Sequence, residues 1–131
     1  MRLLLDTHIW LWAVSDADRL APRVREAIAD PEAEIWLSPV TIWETLMLAR
    51  RGRIQMTSDP IVWVRERLAH GPFREAPLGW EVAIESRVIA LDHEDPADRF
   101  LAATARVYGL TLVTADHRLL RAPGFQVLAN A

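Results

Sequence analysis

Short apolar runs and longer amphipathic ones take turns along this chain. Leu3-Leu4-Leu5 lies in a brief apolar segment, residues 2–5, suited to a buried strand, and Asp6 stands at its carboxyl end. Residues 8–14 read as a short helix, and residues 20–29 continue as an amphipathic helix in which Pro22 suits a first helical position. Residues 34–37 form a second strand. Ser38-Pro39 then supplies an N-cap and a first-turn proline for a helix that runs to Arg51, ahead of Gly52. Asp59-Pro60 repeats that signal for a helix to about Ala69. Residues 74–78 are expected as a short strand and 79–90 as a helix. Asp95-Pro96 opens a further helix that Gly109 closes. Residues 110–113 follow as a strand, Thr114-Ala115-Asp116 as a turn, and 126–128 as a last strand.

Strands alternating with helices of this length imply right-handed crossovers and a parallel sheet covered on both faces. In such sheets ligands gather at the carboxyl ends of the strands, near a switch in strand order. Asp6 and Asp116 both stand at such ends, so two carboxylates are expected on one edge of the sheet.

Composition narrows the chemistry. With 131 residues and 51% hydrophobic content the chain fits one domain, residues 1–131, with a single proper core. No repeat, linker or low-complexity segment divides it. The absence of Cys excludes disulfides and thiolate metal sites. The three leucines after Met1-Arg2 are too few for a signal-peptide core or a membrane span, so a soluble cytoplasmic protein with no membrane partner is expected. All 15 basic residues are Arg, which removes every mechanism that needs a catalytic amine. A GC-rich coding bias accounts for this composition; guanidinium forks would also suit phosphate contacts. The net charge of −3 argues against holding nucleic acid by electrostatics alone.

Most of the 18 acidic residues lie in polar stretches or on solvated faces. Four sit where a carboxylate is harder to explain. Asp6 follows a buried strand, although it could simply cap the next helix. Glu44 is the one acid between Glu34 and Asp59, mid-helix beside Trp43, although a lone surface Glu is the plain alternative. Asp98 lies in a first helical turn, which the helix dipole favours anyway, and Asp95 occupies the N-cap position itself. Asp116 could be an ordinary turn aspartate. Converging from four segments, these acids would repel one another strongly unless a cation sat among them. Oxygen ligands without a His or Cys partner select Mg²⁺ or Mn²⁺. Such an ion suits phosphodiester hydrolysis.

The stretches that carry these acids resemble one family. They are Leu3-Leu4-Leu5-Asp6-Thr7-His8, Ser38 to Glu44, His93-Glu94-Asp95-Pro96-Ala97-Asp98-Arg99, and Leu112-Val113-Thr114-Ala115-Asp116. In order and spacing they resemble the PIN domain, and more narrowly its VapC-type toxin branch. The resemblance covers essentially the whole chain, with no departure at the four acidic positions. It implies a three-layer α/β/α sandwich around a parallel sheet and an Mg²⁺- or Mn²⁺-dependent endoribonuclease, the toxin of a type II toxin–antitoxin pair. Asp6, Glu44, Asp98 and Asp116 are then the catalytic, metal-binding cluster. Thr114 becomes a polar support, and Asp95 and Arg99 stand behind the ligands.

Expected partners follow from the same resemblance: an RNA substrate, a small cognate antitoxin and a second copy of the chain. Trp10, Trp12, Trp43, Trp63 and Met47 offer more apolar surface than helices flanking a small sheet need. Packing should absorb most of it, leaving one or two Trp for a partner's helix. Arg50, Arg51 and Arg53 are candidate phosphate contacts, or else cations at a helix C-terminus. A receiver-type phosphoryl-transfer domain is disfavoured, because Asp6-Thr7-His8 has no second Asp and the chain has no Lys. A non-catalytic PIN-fold module binding RNA or protein is the remaining alternative, against which the intact set of four acids argues.

Overall fold

Five short strands are hydrogen-bonded side by side in the computed structural model, which describes residues 1–131. They are β1 (Arg2–Leu5), β2 (Glu34–Leu37), β3 (Phe73–Glu75), β4 (Thr111–Thr114) and β5 (Gln126–Ala129). The order is β3-β2-β1-β4-β5 and every pair is parallel. From β1 the chain winds outward to β2 and β3, then returns to the other side of β1 for β4 and β5. The switch in direction therefore falls between β1 and β4, where a doubly wound sheet opens its crevice.

Seven helices connect the strands: α1 (Thr7–Ser15), α2 (Pro22–Ala29), α3 (Pro39–Arg50), α4 (Pro60–His70), α5 (Trp80–Val88), α6 (Pro96–Tyr108) and α7 (His117–Leu120). The period-two alternation of strand side chains divides the core in two. Leu3, Leu5, Ile35, Leu37 and Val113 face Trp10, Val24, Trp63 and Val64 on one side. Leu4 and Leu112 face Ile89, Leu101, Ala102, Ala105 and Leu119 on the other. This is the three-layer sandwich. Trp10 is fully buried, and meets Trp63 edge-on at 5.8 Å between ring centroids and Phe73 at 6.2 Å.

The capping signals explain why the helices start where they do. Ser38 Oγ accepts from the Val40 amide, Asp59 from Ile61 and Val62, and Asp95 from Ala97 and Asp98, each just ahead of a first-turn proline. Gly109 ends α6 at φ 64°, a left-handed conformation that side chains resist.

Some boundaries differ from expectation. The helix expected over 20–29 starts at Pro22 as α2, and an unexpected 3₁₀ turn, Ala17–Arg19, precedes it. The third strand begins at Phe73 and ends at Glu75, because Pro77 cannot continue the ladder and Ala76 makes its last bond, to the Leu37 carbonyl. The turn at Thr114-Ala115-Asp116 opens the four-residue helix α7, which the local sequence did not announce. No helix is long and apolar enough to cross a membrane.

Candidate functional site

Asp6 ends β1 and Asp116 follows β4, so the switch in strand order places them side by side. An amide-to-carbonyl bond of 3.0 Å from Asp6 to Val113 ties the two strand ends together. Packed against this edge, α3 brings Glu44 and α6 brings Asp98. All four line one cavity of about 260 Å³, together with Thr7, His8, Trp12, Asp95 and Arg118. The four acids that the sequence and its family resemblance singled out are thus brought together.

Local hydrogen bonds hold them in place. Asp6 caps α1 through Oδ1, which accepts from the Thr7 amide at 2.7 Å, while Oδ2 accepts from the buried Thr114 hydroxyl at 2.7 Å. Thr114 Oγ1 also accepts from the Asp116 amide at 3.0 Å, so one hydroxyl aligns both strand-end acids. The Thr7 hydroxyl donates to Glu44 Oε1 at 2.5 Å, joining α1 to α3. Asp116 caps α7 by accepting from the Arg118 amide at 2.9 Å. Capping and a place in the cluster are therefore not alternatives. Asp6, Asp95 and Asp116 do both: α1 and α7 start at strand ends and deliver their caps to the sheet edge, and α6 starts beside the same cavity.

The electrostatics are strained. Burial, opposed by the Thr114 and Thr7 bonds, raises Asp6 above the ordinary carboxylate range. Burial and the nearby Asp6 and Asp95 raise Glu44. Asp98 is pushed furthest, to about 7, first by burial and then by Asp95, Asp6 and Asp116. Asp116 goes the other way: it is more open, and the Arg118 guanidinium bonds it through Nε and Nη2. Arg118 Nη2 also reaches Asp98 Oδ2 at 3.4 Å, and His93 Nε2 lies 3.6 Å from the same oxygen.

Arg118 is the cation that sequence reasoning missed. Its one signal was position, two residues after Asp116, and that meant little without a helix there to turn it inward. As the side chains stand, no three carboxylate or imidazole groups converge on a point that one metal ion could occupy. The donor set nonetheless fits a hard divalent cation: all oxygen, crowded, and partly buried with its charge incompletely offset.

Two groups of expected residues lie elsewhere. Arg99 is buried and turned away from the acids. Its guanidinium donates to the carbonyls of Ser86, Ile89, Leu91 and His93 at 2.8–3.1 Å, tying down the segment between α5 and α6. It supports the backbone rather than a ligand. Arg50, Arg51 and Arg53 are exposed at the far end of α3 and do not line the cavity. Seven residues separate Glu44 from Arg51, about 10 Å along a helix.

Of the tryptophans, Trp10 and Trp63 belong to the core, whereas Trp43 is 59% exposed and Trp80 90%.

Known proteins share the fold and the family pattern. A crystal structure of VapBC2 from Rickettsia felis bound to a promoter DNA fragment superimposes with a TM-score of 0.73 at 14% identity, covering 98% of each chain. FitAcB from Neisseria gonorrhoeae gives 0.69 at 22% identity, covering 98% of this chain and 97% of that one. These likenesses establish the fold. By sequence, Ribonuclease VapC22 of Mycobacterium tuberculosis is 30% identical over 120 residues, spanning 89% of this chain and 88% of its own length. The sequence pattern of the PIN domain family matches residues 3–124. The chain belongs to the PIN domain family.

Proposed function

We propose that this protein is a divalent-metal-dependent endoribonuclease, the toxin of a toxin–antitoxin pair acting in the cytoplasm. The observation that carries the reading is the convergence of Asp6, Glu44, Asp98 and Asp116 at the switch point, with burial raising three of them. Kinship with a protein named as a ribonuclease supports the activity. Structural kinship with a Klebsiella pneumoniae toxin–antitoxin complex, at a TM-score of 0.70, supports a small protein partner. Trp43, Leu78 and Phe100 line an apolar groove of about 360 Å³ that leaves room for a partner or a second copy of the chain.

Asp6, Glu44, Asp98 and Asp116 would hold Mg²⁺ or Mn²⁺, with Arg118 giving way. When bound, such an ion supplies Lewis-acid charge to the phosphodiester and to the departing oxygen. The chain's own residues do the rest. Asp98, pushed up to about 7, is suited to take a proton from an attacking water near neutral pH, and Glu44 is raised in the same direction by burial and by Asp6 and Asp95. Thr7 and Thr114 fix the orientation of Glu44 and Asp6. Purified protein should cleave structured RNA with Mg²⁺ or Mn²⁺ and stop in EDTA. Cleavage that persists in EDTA sinks the proposal, and binding without cleavage favours a non-catalytic module.

Metal binding should depend on pH. Relative to a free carboxyl, Asp98 favours the folded state while it keeps its proton, and that contribution is lost as pH rises from about 4 through about 7. Mn²⁺ competes with the same proton. Its affinity, measured by calorimetry, should therefore fall between pH 8 and pH 6; a flat profile would remove Asp98 from the ligand set.

Thr114→Val keeps the side-chain volume and deletes the hydroxyl that holds Asp6 and Asp116. Mn²⁺ affinity should drop roughly 10–100-fold with the fold intact by circular dichroism. An unchanged affinity would mean that the two aspartates need no such support.

A further inference from the structure

The wall of the acidic cavity is not all acidic. His8 and Trp12, four residues apart on α1, lie on the same helical face and both line the cavity. Their rings are 5.9 Å apart at an interplanar angle of 49°. Beyond them Arg19 places its guanidinium carbon 5.2 Å from the Trp12 ring centroid. The result is a row of imidazole, indole and guanidinium leading out from the carboxylates.

Trp12 packs partly against the core, but the row as a whole is not buried in it. Trp10, two residues earlier, is wholly buried; Trp12 is only half-buried, and His8 and Arg19 are exposed. The position of Arg19 is held from a distance. Asn130 donates to the Arg19 carbonyl at 3.2 Å and accepts from the Ala21 amide at 2.6 Å, pinning the 3₁₀ turn beside α1. Six residues of α1 separate Asp6 from Trp12, about 9 Å of helix rise, a separation on the scale of one nucleotide.

We propose that Trp12, flanked by His8 and Arg19, is the stacking platform for an unpaired base of the nucleotide next to the scissile phosphate. The proposal rests on the ribonuclease reading and names the side chains that would hold the base beside the cut. A chain with a net charge of −3 gains little from bulk attraction to RNA. Stacking on an aromatic face provides affinity without that attraction, and only a base free of its partner can offer its face. Arg19, on a long exposed side chain, can give way to the base and re-stack on its outer side, with its edge turned to phosphate.

The test couples the protein to the RNA. Trp12→Leu retains apolar bulk against the core but removes the π face; its circular dichroism spectrum and Mn²⁺ affinity should match the wild type. A set of single-stranded oligoribonucleotides, each with one abasic position, is then compared by cleavage kinetics with Mn²⁺ and by fluorescence anisotropy with Ca²⁺ in its place. In the wild type, one abasic position beside the cut should raise KM and Kd about tenfold or more. Trp12→Leu should show the same loss on intact RNA and no further loss at that position, and Trp12→Phe should restore most of the affinity. Equal abasic penalties in the wild type and Trp12→Leu, or wild-type binding by Trp12→Leu, overturn the platform. If no RNA is cut by the wild type, the nuclease reading falls, and the anisotropy coupling still decides the role of Trp12.

Discussion

Asp98→Asn is expected to abolish RNA cleavage while raising the melting temperature of the metal-free protein at pH 8. Both effects have one cause. The Asp98 side chain is 13% exposed and stands among Asp6, Asp95 and Asp116, with the Arg118 contact shared with Asp116 as its partial compensation. Ionising it there is unfavourable, which is why its carboxyl is pushed up to about 7. Asparagine keeps the shape and removes the repulsion, so the fold gains about 4 °C for each kcal/mol relieved. Cleavage should fall by roughly 10³-fold, because an amide is a poor ligand for a hard cation and cannot accept the proton of an attacking water. Mn²⁺ should stabilise the wild type more than the variant in thermal melts. A variant that cuts as well as the wild type would exclude Asp98 from the site. One that is inactive but melts lower would show that Asp98 contributes stability instead of costing it.

Arg99→Met should have the largest effect on stability. Four backbone carbonyls, of Ser86, Ile89, Leu91 and His93, share one buried guanidinium. Truncating it leaves them without a donor in a place water reaches poorly. The loss should be about 4 kcal/mol or more, a large share of the 5–15 kcal/mol that holds such a domain together. Arg99→Lys should recover less than half, since an ammonium lacks the flat fork that reaches four acceptors. Chemical denaturation is the measurement, and a loss under about 1 kcal/mol would mean that the segment is held by other contacts. The damage should also reach the site, because this segment leads into Asp95 and the α6 turn that carries Asp98.

Much of the molecule was legible in its sequence because local physics spelled it out. Proline behind a capping Ser or Asp marks the starts of α3, α4 and α6 to within a residue, and Gly109 marks the end of α6. The strand-end positions of Asp6 and Asp116 follow from the alternation of strands and helices. The parallel sheet makes those ends neighbours. Glu44 stood out through the absence of other acids on its helix.

The tertiary structure decided what local sequence does not encode: direction, and the company a side chain keeps. Arg99 follows Asp98 directly, and that nearness suggested a shared role. Successive helix residues point about 100° apart, however, so Asp98 faces the cavity and Arg99 the interior. Arg50, Arg51 and Arg53 follow Glu44 by two turns, and the helix carries them away from the cavity. Arg118 and the row of His8, Trp12 and Arg19 draw their meaning from elements distant in sequence. Chain order determined that Asp6 and Asp116 would meet at one sheet edge, and the family resemblance favoured Asp98 over Asp95; the packing of α3 and α6 is what brings Glu44 and Asp98 to them. Packing alone decided which cations and aromatic rings would meet them there, because side chains from separate elements become neighbours only when those elements share a core.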